Sequence, residues 1–342
     1  MVVREPGAEP RAAGMKEVAA AAGVSLGTVS NVLNRPDRVS PATRSRVEAA
    51  MAELRFVRNE SARQLRAGRS RVMGLLVLDL GNPFFVDVAR GAEQAAHAEG
   101  LNIITCNSGQ RSELEASYLA MFAEQRVRGV LLSPVATSGE ALRTFRRTGT
   151  PYVFVDRKAP ASEASSVSVD DVAGGALGGQ HLLETGHRRI AFVNGPAILT
   201  QCRDREQGLR SALSGSGAEL TVLEAIGLDV SSGRDAGARL LGTSPRPTAV
   251  FCANDLLALG VLQAMVGAGV RVPDEMAIVG YDDIECAGAA AVPLTSVRQP
   301  ARRLGRTAAE LLLAETSDTK PERQAVVFTP ELVVRESTRV RR

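Results

Sequence analysis

Apolar residues in the first sixty positions recur at helical spacing; beyond position 72 they gather into short runs. Val18, Ala19 and Ala22 share one face of MKEVAAAA, and Gly23 ends that helix from the C′ position. Ser25 caps a second segment, LGTVSNVLN, that turns Val29, Val32 and Leu33 inward and Leu26, Gly27, Thr28, Ser30 and Asn31 outward. Ser40 caps a third helix, Pro41 opens it, and Val47, Ala50, Met51 and Leu54 form its stripe. Two short helices about a tight Gly-containing turn predict a helix-turn-helix. From Val72 the pattern changes. VMGLLVLD, LNIITCNS, GVLLSP and YVFVD predict strands, with helices over 83–99, 113–126 and 139–148. The rhythm returns with RIAFVNG and a helix over 205–213, TAVFCAN and a helix over 254–268, then MAIVGYD. Alternating strands and helices predict parallel sheets, and the repetition about a junction near 156–172 predicts two doubly wound α/β halves.

Charge sharpens this division. The 342 residues carry a formal net charge of +3, yet residues 1–72 hold thirteen Lys/Arg against seven Asp/Glu, leaving the remainder net acidic. A basic head on a mildly acidic body suits an anion-binding module joined to a separate globular part. Residues 1–13 mix Pro, Gly, Ala and charges and read as a disordered lead-in. No apolar run approaches the ~18–20 residues of a membrane span, and the first residues lack the apolar core of a secretory signal. A cytoplasmic location is the expectation. Four cysteines without a C-x-x-C and three scattered histidines predict no metal site and no disulfide. No nucleophile motif pairs with a histidine, so neither an enzyme nor a cofactor is expected. GGALGG (174–179) has no Lys-Ser/Thr of a phosphate loop and reads as a helix whose small residues permit close packing.

The outward face of the second helix is small and polar, with no acid between Ser25 and Asn34. Such a face fits close against base edges. Asn31 matches an adenine bidentately, Leu26 a thymine methyl, and Ser25, Ser40 and Thr43 sit at helix N-termini suited to phosphates. From Arg55 to Arg71 the arginines meet a single acid, Glu60. Asn59 can cap a short helix there, with Ala62 and Leu65 on one face beside Arg63 and Arg66. That pattern suits a wedge in the minor groove. It equally suits a flexible basic linker, which composition alone favours. In the body, doubly wound sheets bind ligands beyond the carboxyl ends of their strands. Candidates there are Asp79 and Asn82, Asp156 and Arg157, Asn254 and Asp255, and Asp282 and Asp283. For each, a helix cap is the plain alternative.

MKEVAAAAGVSLGTVSNVLNRPDRVSPATRSRVEAAMAEL resembles the DNA-binding head of the LacI/GalR family of bacterial transcriptional regulators. The match runs through Glu17, Val18, Ala19, Ala22 to Ser25, Thr28 to Ser30, Val32 to Asn34, Val39, Ser40, Thr43, Arg44 and Val47. NESARQLR resembles the family's hinge helix, with Leu65 at the leucine that opens the minor groove, which reverses the preference for a linker. Residues 72 to about 336 resemble the effector domain, of the periplasmic-binding-protein-like fold. The motifs are NPFF (82–85), VDR (155–157), R-x-R-x-x-G (203–208), ANDLLALG (253–260), VGYDD (279–283) and PLTSVRQP (293–300).

The resemblance implies a ligand-controlled repressor that binds double-stranded operator DNA as a homodimer. Its DNA-binding residues are then Ser25, Leu26, Gly27, Thr28, Ser30, Asn31, Asn34, Ser40 and Thr43 in the head, with Asn59, Ala62, Arg63, Leu65 and Arg66 in the hinge. Its effector, a sugar with a ribose-like pentose favoured, would meet Asn82, Phe84, Phe85, Asp156, Arg157, Arg205, Asn254, Asp282 and Gln299. Leu228 departs from an aromatic platform in many sugar-binding members, and Pro300 and Ala301 stand where some have another ring, leaving room for a purine or polyol. The expected boundaries are 14–58 for the head, 59–71 for the hinge and 72–342 for the effector and dimerisation domain. Its halves are 72–169 plus 300–323, and 170–299 plus 324–336. A transport-type solute-binding protein is the alternative, opposed by the intact head and the missing signal.

Overall fold

The computed structural model describes residues 13–56, 70–135, 140–317 and 322–339. The chain divides into two compact units, residues 1–69 and 70–342. In the first, α1 (Met15–Ala22), α2 (Leu26–Asn34) and α3 (Pro41–Glu53) pack about Val18, Val29 and Val47, all fully buried. Gly23 follows α1 with φ 63°, a left-handed value that glycine adopts without a Cβ clash. Ser25 Oγ accepts from the Thr28 N–H at 3.1 Å, and Ser40 Oγ from the Thr43 N–H at 3.4 Å, fixing the starts of α2 and α3. Burial differs from expectation at two places. Thr28 and Ser30 are half-buried rather than fully outward. The Thr28 hydroxyl folds back to Ser25 Oγ at 3.0 Å, and Asn34 Nδ2 lies 3.4 Å from Ser30 Oγ.

The second unit carries two six-stranded sheets. The first half contributes β1 (Val72–Val77), β2 (Asn102–Asn107), β3 (Val130–Leu132), β4 (Tyr152–Val155) and β5 (Ser165–Val169). Its helices are α4 (Pro83–Ala98), α5 (Ser112–Glu124) and α6 (Glu140–Arg147). The second half contributes α7 (Asp171–Glu184), β6 (Arg189–Asn194), α8 (Thr200–Leu213), β7 (Glu219–Glu224), α9 (Val230–Leu241) and β8 (Ala249–Cys252). It continues through α10 (Asp255–Gly267), β9 (Ala277–Asp282), α11 (Glu285–Gly288) and β10 (Thr295–Arg298). Then α12 (Ala301–Glu315) returns to pack on α4, and β11 (Ala325–Phe328) and β12 (Glu331–Val333) complete the sheets. The orders are β11-β5-β4-β3-β1-β2 and β12-β10-β9-β8-β6-β7, the same arrangement used twice. All pairings are parallel except β10 with β12.

The chain therefore passes between halves at β5 to α7, at β10 to α12, and at β11 to β12. The last passage corrects the expected boundary, which placed 324–336 wholly in the second half. Ala325–Phe328 pair with Ser166–Val169 in the first sheet, because β5 would otherwise leave an open edge. Two further differences bear on the site. Helix α8 begins at Thr200 rather than 205, and the SSVSV strand β5, half serine, carries no apolar run to announce it. Among the described residues no helix is long and apolar enough to cross a membrane.

The GGALGG stretch lies inside α7 and forms its contact face. A Cβ on Gly175 would strike the Arg205 carbonyl, and one on Gly208 would strike that of Val172. Helices α7 and α8 thus meet backbone to backbone, which sets where Arg205 stands.

Candidate functional site

A cavity of about 470 Å³ lies among the carboxyl ends of strands from both halves, within the ~300–1,000 Å³ typical of small-molecule sites. Eight of the nine expected effector residues line it: Asn82, Phe84, Phe85, Asp156, Arg205, Asn254, Asp282 and Gln299. The first turn of α4 supplies Asn82 and both rings. Asn82 Oδ1 caps that helix by accepting from the Phe84 N–H at 3.0 Å, so Nδ2 is left to face the cleft. Phe84 and Phe85 meet edge to face, with centroids 5.0 Å apart, and form an apolar wall.

Arg205 rises from α8 into the polar centre. Its Nε donates to Asp171 Oδ1 at 2.8 Å and its Nη1 to the Ala253 carbonyl at 2.7 Å. Its guanidinium lies 3.7 Å from the Tyr281 ring centroid, and Nη1 stands 3.9 Å from Asp282 Oδ1. Burial opposes this cation, but Asp171, Tyr281, Asp282 and Asp156 together raise its pKa well above the ordinary value. Asp282, at the end of β9, accepts from Gln299 Nε2 at 2.7 Å and, across the cleft, from Asn82 Nδ2 at 2.8 Å. Burial raises its pKa against the lowering effect of Arg205. Asp156, at the end of β4, accepts from Gln201 Nε2 of the opposite half at 2.8 Å. Burial, then the Asp171 charge, push the Asp156 carboxyl up to about 7. Its Oδ1 is buried and has no hydrogen-bond partner among the described residues.

Arg157 does not line this cavity. Its guanidinium lies 4.2 Å from the Phe154 ring centroid and pairs with Glu163 at 3.3 Å, because the left-handed Asp156 (φ 57°) turns the chain there. Asn254 touches the cavity but is also the cap of α10, accepting from the Leu257 N–H at 2.9 Å. Of the other strand-end candidates, Asp79 lines the wall. Asp255 and Asp283 do not: Asp255 accepts from Ser296 Oγ at 2.7 Å and the Ile284 N–H at 2.9 Å, and Asp283 pairs with Arg298 and Arg335. Sequence reasoning missed Gln110, Leu199, Gln201 and Cys202 in the wall. Gln201 stands four residues before Arg205 on α8, a spacing that puts both on one helix face and would have found it. Leu228 also lines the wall and offers an aliphatic surface instead of a ring. Among the described residues no cluster of His, Cys, Asp or Glu is arranged to hold a metal ion.

In the head, Ser25, Leu26, Gly27, Asn31, Asn34 and Ser40 are exposed and Thr28, Ser30 and Thr43 half-buried. Leu26 is 42% exposed at the first turn of α2, a large apolar side chain that the head's own core leaves out. Asn59, Ala62, Arg63, Leu65 and Arg66 lie outside the described residues.

A helix-turn-helix followed by a two-lobed body with a polar cleft defines a DNA-binding regulator with a small-molecule domain. The comparisons with known proteins agree. Residues 14–59 match the family described as bacterial regulatory proteins, lacI family, and residues 180–338 match the periplasmic binding protein-like domain. The HTH-type transcriptional repressor PurR of Photobacterium profundum is 34% identical, over 95% of this chain and 98% of that protein. A solved transcriptional regulator CelR–cellobiose complex is 34% identical with a TM-score of 0.72, covering 95% of this chain and 99% of the other. A LacI family transcriptional regulator from Enterococcus faecium with bound ribose is 30% identical with a TM-score of 0.71, covering 78% and 98%. The chain belongs to the LacI family of bacterial regulatory proteins: it is a DNA-binding transcriptional regulator and not an enzyme.

Proposed function

We propose that this regulator is a repressor, bound as a homodimer to a pseudo-palindromic operator and controlled by a small neutral sugar, with a ribose-like pentose as the effector. The observation that carries the effector reading is the pair of buried carboxylates, Asp156 and Asp282, each held by a side-chain amide beside Arg205 and the Phe84–Phe85 wall. Carboxylates accept from vicinal hydroxyls, amides and guanidinium serve both roles around a ring, and an apolar wall covers its carbon face. The bound ribose in the Enterococcus faecium regulator supports this choice. A purine is the second reading, favoured by the similarity to repressors named PurR and by the aliphatic Leu228. A thermal-shift screen of the full chain against pentoses, hexoses, polyols and purines separates them, since a ligand of the folded state raises the melting temperature. A shift with D-ribose and none with purines is expected; the reverse would overturn the pentose.

In the same proposal α2 enters the major groove. Asn31 and Leu26 read bases, Ser25, Gly27, Thr28, Ser30 and Asn34 line the contact, and Ser40 and Thr43 hold phosphates. Asn59 to Arg66 form the hinge that enters the minor groove, with Leu65 as wedge. The exposed, uncharged face of α2 supports this placement. Footprinting on the region upstream of its own gene and on neighbouring sugar-utilisation promoters at low salt tests it, and absence of any protection would sink it.

A further inference from the structure

Behind the Asp156–Gln201 hydrogen bond lies a second chamber of about 580 Å³. Both chambers count Asp156 and Gln201 among their walls, so what separates them is this side-chain pair and not backbone. Gln201 sits in the first turn of α8 and makes its bond to Asp156 from the tip of a flexible side chain. A change of rotamer opens the partition. The second chamber is bounded by the turn after β4, the passage from β5 to α7 and the start of α8. From these it takes Lys158, Asp170, Thr200 and Asp204.

The shared residue Asp156 is only 5% exposed, and its Oδ1 has no hydrogen-bond partner among the described residues. A buried acceptor left in that condition gains from a donor placed beside it. Its backbone is held at φ 57°, so the carboxylate is aimed by the fold and cannot relax by following the strand direction. Carboxylates outnumber cations along the second chamber's wall, with Asp156, Asp170, Asp171 and Asp204 against Arg157 and Lys158. That balance repels phosphate and carboxylate groups and suits hydroxyl donors.

We infer that the second chamber is a subsite for a second hydroxylated unit, and that the effector is a neutral disaccharide or glycoside whose linkage passes between Asp156 and Gln201. This deepens the sugar reading proposed above and rests on it. One ring occupies the cavity between Asp282 and the Phe84–Phe85 wall. The other lies among Thr200, Asp204 and Lys158, and a hydroxyl at the junction donates to Asp156 Oδ1. Gln201 is then a specificity-determining residue, because its rotamer decides whether one unit or two fit.

The test uses the full-length protein in a thermal-shift titration with D-ribose, cellobiose, maltose, sucrose and ribose 5-phosphate. At least one neutral disaccharide is expected to bind at least tenfold tighter than D-ribose, while the sugar phosphate gives no shift. Thr200→Phe, which fills the second chamber alone, should remove that tenfold advantage and leave the ribose titration unchanged. Asp204→Leu is the second variant, should Thr200→Phe fail to fold. Ribose binding with no disaccharide binding tighter would overturn the subsite and leave the single-sugar reading intact. A disaccharide advantage that survives both variants would also overturn it. No shift with any sugar would remove the sugar reading itself, and the subsite with it.

Discussion

Asp156 and Asp282 share an unusual backbone. Both end a strand with positive φ, 57° and 103°, where a side chain other than glycine is strained by ~1–3 kcal/mol. The strain persists because it points two carboxylates into one cleft. Asp156 also carries a proton-linked cost. Its carboxyl is pushed up to about 7 in the folded chain, mainly by burial, against an ordinary value of 3.8. Between those values the folded state holds a proton that the unfolded state has released, so stability falls as pH rises from about 4 through about 7. Asn tolerates the same left-handed conformation. Asp156→Asn should therefore gain thermal stability relative to the parent between pH 5 and pH 8, by several degrees. Parallel melting curves with a constant gap across that range would refute the assignment. Arg205→Ala should abolish the effector response. It also leaves Asp171 and Asp282 buried without their cation, at roughly 3–5 kcal/mol. A melting temperature within a degree of the parent, or an unchanged dose response, would show that Arg205 holds no such position.

At the scale of elements, the α7–α8 crossing governs the site from outside it. Because Gly175 faces the Arg205 carbonyl, Gly175→Ala forces the helices apart, with an overpacking cost of about 1–3 kcal/mol. The same substitution should weaken effector binding by displacing Arg205, read as a rightward shift of the ligand titration in protein that still melts cooperatively. Equal affinity would mean that the crossing does not position the arginine. This contact was legible in the sequence, since GGALGG lacks every requirement of a phosphate loop and fits only a tightly packed helix. Apolar strands such as VMGLLVLD were legible for a similar reason. Strand β5 was not: SSVSV buries its serines as well as its valines, and only the neighbouring strands on both sides make that tolerable. The early start of α8 was hidden too, because TQCRD carries no apolar stripe, and with it went Gln201.

For the whole molecule, the uneven charge sets the physics of DNA binding. Thirteen bases against seven acids in residues 1–72 place the positive charge in the head and the segment after it, while α2 itself is uncharged. Affinity for any DNA should then fall steeply with salt, with a log–log slope of about −0.9 per phosphate contacted. Discrimination between sequences should depend on Asn31 and Leu26 instead. Leu65→Ala should weaken operator binding more than nonspecific binding, because a wedge acts through deformation of the duplex. Equal losses on both DNAs, measured by gel shift at one salt concentration, would remove the wedge. At this scale the sequence was most informative: two doubly wound halves follow from one rhythm stated twice. The three passages between halves were not all readable, because nothing in QAVVF or ELVV says which open edge each strand will take.

The hydrogen bond from Asn82 to Asp282 has a consequence for sensitivity. The protein supplies its own occupant for a position that a hydroxyl would take, so an effector enters by exchange and gains only the difference between two similar bonds. Asn82 is in that sense an internal competitor, present at a fixed effective concentration. Its strength sets the threshold at which the regulator responds. That threshold can drift through single changes at this one amide while the DNA-reading face stays as it is.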